Sequence, residues 1–305
     1  MQDNSPHRLL VENSLSEAAW QQFASVYPLA ETERRAEGLA GLKDMPLALA
    51  YYLAAHGMES NEIDNFISPR LRDSLPDPHL MQDAERAITL ICNAIEAKQP
   101  IGIFGDYDVD GACSAALFRA VLAPLGCAVY CHIPDRFSEG YGPNITALEG
   151  LKAQGAELIL TVDCGITAHQ PLEAAARAGM DIIVVDHHKA GPSLPQAQAV
   201  VNPNRLDDDS GLGHLCAAGV CFLVLAGVIR QCRARDLSLP NGNMPDLLSV
   251  LDLVALATIC DIVLLKGVNR TFVKQGLKVL AQRQNTGLRA LMDIARLDHR
   301  PNTHT

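Results

Sequence analysis

In the stretch "PIGIFGDYDVDGACSAAL", residues 100–117, three carboxylates stand at alternate positions: Asp106, Asp108 and Asp110. They follow a short apolar run and precede a helix-like one. Like charges this close resist ionising together unless a cation sits among them. Further along, "ELILTVDCG" puts Asp163 after a second apolar run, and "DIIVVDHHK" puts Asp186, His187 and His188 after a third. The segment "LDLVALATICDIV" ends a helix-like pattern at Asp261. A convergent set of about five carboxylates with one or two imidazoles suits Mn2+ or Mg2+, because structural Zn2+ favours thiolates and histidines. Two such ions about 3.5–4 Å apart form a clamp for phosphoryl displacement, activating water and neutralising transition-state charge.

Blander readings exist for each element. "DYDVDG" resembles the start of a calcium EF-hand loop, but the twelfth position is Leu117 instead of Glu, and "IGIF" precedes it instead of a helix. Asp163 alone reads equally as a loop or helix cap, and Asp261 alone as a helix terminus. A lone histidine is usually structural, whereas two adjacent ones after Asp186 at a strand end favour a functional role. Cys164, beside Asp163, has no source of pKa depression and is rejected as a nucleophile.

These residues need elements to position them. The apolar runs 101–104, 127–133, 157–162, 181–185 and 199–202 are continuous rather than alternating, and helical patterns at 111–125, 144–154 and 168–179 lie between them. That pattern predicts a parallel sheet covered on both faces. An amphipathic helix over 81–98 precedes it, and the chain beyond 213 reads as mostly helical. The fold class is therefore α/β: a doubly wound, mainly parallel sheet with N-terminal and C-terminal helical additions. Residues 1–80 are expected to be a helical lead-in, including "SEAAWQQFASVY" and "MPLALAYYLAAHG", and 81–305 a catalytic domain. Open parallel sheets hold ligands beyond the carboxyl ends of their strands, where these acids and histidines fall.

Composition bounds the rest. The 305 residues are 48% hydrophobic and 20% charged, as in a soluble globular protein. No apolar run is expected to span a bilayer, and no signal-peptide core is seen at the N-terminus. Nine cysteines without a CxxC pair suit buried residues in a reducing cytosol. The net charge of −10 argues against gripping nucleic acid through a diffuse basic surface, but not against a cation-mediated phosphate site.

"GDYDVDG", "VDCG", "VVDHH" and "ATICDIV", in that order, resemble the motifs of the DHH phosphoesterase superfamily. The closer resemblance is to the RecJ single-stranded-DNA exonuclease family. It extends through the lead-in "FISPRLRDSLPDPHLMQDAERAI", the segment "IPDRFSEGYGPN" and the helix "LDLVALATICDIVLLKGVNR". The resemblance implies a DHH-type fold, with Asp108, Asp110, Asp163, His187 and Asp261 as metal ligands and Asp106 as an addition. It places His188 against the scissile phosphate, with Asp186 orienting the liganding histidine from behind. Arg136 would meet a substrate phosphate, its competing reading being a solvated loop charge. Gly140 and Gly142 would let that loop approach a ligand or take positive φ. The implied activity is Mn2+- or Mg2+-dependent 5′-to-3′ hydrolysis of single-stranded DNA in recombination and repair. The expected partners are single-stranded DNA and repair proteins, with no membrane, in the cytoplasm.

Two departures stand out. Leu264 occupies a position where the family commonly has proline, and the family's DHH-associated and OB-type domains are not seen in the tail "QNTGLRALMDIARLDHRPNTHT". Three other readings stay open. An oligonucleotide or cyclic-dinucleotide phosphodiesterase would share the chemistry, a pyrophosphatase fits the context less well, and a silent binding module would keep the fold without turnover.

Overall fold

The computed structural model describes residues 29–237, 242–297 and 301. The helix expected in "SEAAWQQFASVY" lies outside them. The chain divides into two compact units, Met1–Pro69 and Arg70–Thr305. In the first, α1 (Leu29–Lys43), α2 (Leu47–Ala55) and α3 (Ile63–Ile67) enclose a small core of Ala36, Leu39, Ala50, Leu53 and Ile63. Pro46 precedes α2 with φ −55°, so its ring pre-sets the chain for a helix start.

The second unit runs α4 (Leu71–Ser74), α5 (Ala84–Glu96), β1 (Ile101–Gly105), α6 (Val109–Leu122), β2 (Val129–His132), α7 (Ile145–Ala153), β3 (Leu158–Val162), α8 (His169–Arg177), β4 (Asp181–Val185) and β5 (Ala199–Val201). It continues through α9 (Ala217–Ala234), α10 (Leu251–Cys260), α11 (Gly267–Leu280) and α12 (Thr286–Ile294), with single 3-10 turns at Pro78–Leu80 and Leu247–Val250. The five strands form one parallel sheet in the order β2-β1-β3-β4-β5. β-strand side chains alternate between faces, and here each face meets its own core. Ile101, Ile103, Leu160, Val162, Ile183 and Val185 pack with α5, α6 and α9, while Phe104, Ile159, Ile182 and Val184 pack with α7 and α8. Burial on both faces is why the strands read as unbroken apolar runs.

The expectation that no apolar run could span a bilayer needs correction. Ala217–Ala234 is long and apolar enough by length and composition, but 72% of it is buried inside the protein. It packs against α5, α6 and α10, which makes it the central helix of the larger core.

The turn from β1 into α6 is tight. Asp108 Oδ1 accepts from Gly111 N at 2.9 Å, capping α6, and a Cβ on Gly111 would lie 2.5–2.7 Å from Asp106 backbone atoms. Gly111→Ala is therefore expected to cost about 1–3 kcal/mol through overpacking. A melting temperature equal to wild type would contradict this.

Candidate metal centre

The strand order reverses between β1 and β3, since β2 lies on one side of β1 and β3 on the other. Such a switch point opens a crevice at the carboxyl ends of the strands. The loop after β1 brings Asp106 and Asp108 there, the first turn of α6 brings Asp110, the loop after β3 brings Asp163, and the loop after β4 brings Asp186, His187 and His188. Asp261 arrives as the residue capping the carboxyl end of α10. Three overlapping groups have ligand atoms within 4.8 Å of one another: Asp106, Asp108 and Asp163; Asp163, His187 and His188; and Asp110, His187 and Asp261. Every acid and imidazole singled out in the sequence, apart from Asp186, belongs to at least one.

Asp163 is the hinge of this arrangement. It adopts φ +60°, a left-handed conformation that short polar side chains tolerate better than most, directly after β3. Its Oδ1 lies 3.3 Å from His187 Nε2 and 4.0 Å from His188 Nδ1. Both Asp163 oxygens, and Oδ1 of Asp106, are buried without a hydrogen-bond partner among the described residues. Burial, reinforced by the charges of Asp110 and Asp108, pushes the Asp163 carboxyl far above the usual carboxylate range. Burial also raises Asp106 and Asp261. A protein that leaves so many buried carboxylate oxygens unpaired costs itself stability, unless a cation satisfies them. Nearly all the available donors are hard oxygens, with imidazole in the minority, which fits Mn2+ or Mg2+. The adjacent thiol of Cys164 is fully buried and held well above its ordinary pKa by burial, so it offers neither nucleophile nor thiolate ligand.

Asp110 and the two histidines are more firmly held. Asp110 accepts from Ala217 N at 2.6 Å and Ala218 N at 2.8 Å, so its carboxylate caps the amino end of α9. Burial nonetheless raises its pKa to about 6. His187 Nδ1 lies 3.1 Å from the Leu215 carbonyl. Donation of that proton leaves Nε2 free, 3.7 Å from Asp110 Oδ2, as the ligand nitrogen.

Asp186 was expected to orient the liganding histidine, but its carboxylate reaches the other ring. Asp186 Oδ1 lies 2.8 Å from His188 Nδ1 and also accepts from the backbone N–H groups of His187 and His188. Its Oδ2 accepts from Ile166 N at 3.0 Å. The two histidines are adjacent, and the turn after β4 folds back the second of them. Burial opposes ionisation of Asp186, yet the His188 hydrogen bond and charge, with the backbone donors, outweigh it and lower its pKa. The same hydrogen bond raises the pKa of His188 and favours the imidazolium.

Arg136 is not among the ligand groups. Its guanidinium lies 5.3 Å from the ring centroid of Tyr107, the residue between Asp106 and Asp108. Tyr107 meets Tyr141 edge-on, and the Tyr141 hydroxyl is 3.5 Å from His188 Nε2. Arg136 thus stands at the rim of the crevice behind two aromatic rings, neither of which stands out in the sequence. Gly140 and Gly142, which flank Tyr141, take φ +81° and +77° with open space at the Cβ position, so their role is the turn. Also unassigned were Asn202 and Asn204 in "VNPN". Asn202 Nδ2 donates to the His188 carbonyl at 2.8 Å, and Asn204 Nδ2 donates to that of His187 at 2.5 Å. Two asparagines at alternate positions just past a strand were the available signal.

Leu264 is exposed and lies in the loop leaving Asp261. In that loop Ile262, 88% exposed, adopts φ +56°, which a β-branched residue occupies only with strain. Ile262→Gly is expected to stabilise the protein by roughly 1 kcal/mol. A lower melting temperature would contradict this.

The chain belongs to the DHH family: residues 100–258, which carry the parallel sheet and most of the acids and imidazoles at its switch point, match the DHH family, N-terminal domain. Within that family it is similar to the single-stranded-DNA-specific exonuclease RecJ. It is 34% identical to the Escherichia coli protein over 259 residues, covering 84% of this chain and 44% of the relative. It is 36% identical to the Bacillus subtilis protein over 219 residues, covering 72% and 26%. The chain thus spans less than half the length of these relatives. Among solved structures it resembles exonuclease RecJ bound to manganese, at 34% identity and TM-score 0.60 over 70% of this chain and 52% of that one. RecJ from Thermus thermophilus in complex with Mn2+ matches at 29% identity and TM-score 0.66 over 88% and 36%. The fold expected from the sequence is the fold of these proteins.

Proposed function

We propose that this chain is a metal-dependent phosphodiesterase centre that removes nucleotides from the 5′ end of single-stranded DNA. The observation that carries the proposal is the convergence at one strand-end crevice of six proposed ligands, two of which, Asp106 and Asp163, have buried oxygens without a hydrogen-bond partner among the described residues. Similarity to RecJ proteins, some solved with Mn2+ or Mg2+, supports the choice of substrate and ions. Asp108, Asp110, Asp163, His187 and Asp261, with Asp106, would hold one or two divalent ions. Bound there, such ions supply an activated water and neutralise charge on the phosphoryl group.

The chain's own residues do the rest. Asp186 holds the His188 ring by Nδ1 and keeps it protonated, so that Nε2 presents positive charge to a phosphate oxygen. Arg136, at the rim, meets a phosphate farther along the strand. The catalytic domain is proposed to cover residues 81–305, inside the larger unit that begins at Arg70. All nine cysteines are free thiols, seven of them buried, which supports work in a reducing cytoplasm. By kinship with RecJ, the pathways served are recombination and repair.

The test is hydrolysis of a single-stranded oligonucleotide with Mn2+, labelled at the 5′ end in one tube and the 3′ end in another. Immediate release of 5′-labelled mononucleotide is expected. Preference for dinucleotides would move the substrate to short or cyclic species. Tight Mn2+ binding without turnover of either substrate would make the chain a binding module.

A further inference from the structure

Three successive backbone carbonyls, those of Gly213, His214 and Leu215, each accept a hydrogen bond from a different side chain. Asn204 Nδ2 donates to Gly213 O at 3.2 Å and, with the same group, to His187 O at 2.5 Å. Asn269 Nδ2 donates to His214 O at 2.7 Å and to Leu264 O at 3.0 Å. His187 Nδ1 takes Leu215 O at 3.1 Å. The turn at 213–215 is therefore tied on one side to the loop carrying His187 and on the other to the loop leaving Asp261. A Cβ on Gly213 would collide with Asn204 Oδ1, so the close approach itself depends on glycine. Asn269 is fully buried.

We propose that Asn204 and Asn269 are positioning residues that set the separation of His187 and Asp261, and with it the affinity of the cluster for divalent ions. This rests on the reading of the strand-end cluster as a cation site. The physical basis is economy of donors. Each carboxamide offers two N–H groups from one nitrogen, and each spends them on carbonyls of two different loops. Loss of either amide leaves two carbonyls without that donor and frees one loop to shift against the other. His187 and Asp261 sit at opposite ends of this chain of contacts, 3.8 Å apart between Nδ1 and Oδ2. A shift of either loop changes that spacing directly. Outer partners of this kind typically contribute a factor of about 10–100 to metal affinity.

The experiment titrates Mn2+ into the full chain and follows free and bound ion by electron paramagnetic resonance, at a temperature well below melting. Asn204→Ala and Asn269→Ala are each expected to bind Mn2+ about 10–100-fold more weakly, with an altered spectrum of the bound ion. Thr271→Val is the control: Thr271 is as fully buried as Asn269 and on the same helix, and its hydroxyl has no partner among the described residues. It should match wild type. Should Asn269→Ala not fold, the partly exposed Asn204→Ala decides alone. Wild-type affinity and spectrum in the asparagine variants, whatever their melting temperatures, would reduce both residues to structural ones and overturn the inference. Absence of Mn2+ binding by wild type would instead remove the cation site itself, and the inference with it.

Discussion

Asp163→Asn is expected to lower Mn2+-dependent hydrolysis by at least ~10³-fold and, in the same protein, to raise the melting temperature in EDTA. The first effect follows from losing a ligand that two of the three ligand groups share. Cation stabilisation of the transition state is worth several kcal/mol, and each 1.36 kcal/mol is tenfold in rate. The second effect follows from the burden this carboxylate places on the metal-free fold. Its oxygens are buried and unpartnered, and burial with the neighbouring acids raises its pKa strongly. The native state then holds a proton that the unfolded chain has already released. Stability falls with pH across that window, because the unfolded state binds fewer protons. Asp110 behaves likewise between its ordinary value of 3.8 and about 6, which amounts to a loss of up to about 3 kcal/mol. An asparagine carries no charge and escapes this penalty. Added Mn2+ should reverse the ranking, since an ion at 100 times its Kd stabilises wild type by about 2.7 kcal/mol and the variant far less. Thermal melts of both proteins in EDTA and in Mn2+, at pH 5 and pH 8, check both halves. A variant less stable than wild type in EDTA would mean that Asp163 has a structural partner.

The second large effect concerns the Asp186–His188 pair. His188→Gln is expected to lower kcat about 10²–10³-fold while leaving Mn2+ affinity within a few-fold, because the lost group acts on developing charge. Asp186→Asn separates charge from shape. The hydrogen bond to Asp186 raises the His188 pKa, so the imidazolium persists to higher pH than in a free histidine. Activity that needs this cation is present below that pKa and is lost as pH rises through it. With asparagine in place, the ring deprotonates earlier, and the alkaline limb of the rate profile should move to lower pH. Ion binding gives the opposite limb, rising as Asp110 deprotonates near pH 6. A profile whose alkaline limb stays put in Asp186→Asn would show that His188 works neutral.

Much of this architecture was readable from local pattern. Strand β4 matches its apolar run at 181–185, and β1 extends the run at 101–104 by one residue, because both are buried on both faces. β2 was read as 127–133 but occupies Val129–His132. Among the described residues it is an edge strand paired to β1 alone, and Cys127 is buried ahead of it. The helix read over 81–98 begins at Ala84, where Asp83 takes φ +59°. The candidate ligands were legible because cation chemistry demands recognisable residue types at strand ends. What escaped depends on tertiary convergence. Which ring Asp186 grips is decided by the backbone after β4, not by residue order. The asparagines at 202, 204 and 269 look ordinary until three loops meet. Tyr107 and Tyr141 become neighbours only when the loops after β1 and β2 share one edge.

The central claim is that the strand-end cluster is a cation centre, and diffraction from crystals soaked in Mn2+ and measured at the manganese absorption edge tests it most directly. Anomalous peaks are expected among Asp106, Asp108, Asp110, Asp163, His187 and Asp261, lost from the same crystals after exchange into EDTA. A crevice without a peak under saturating Mn2+, or a peak held elsewhere on the chain, would contradict it.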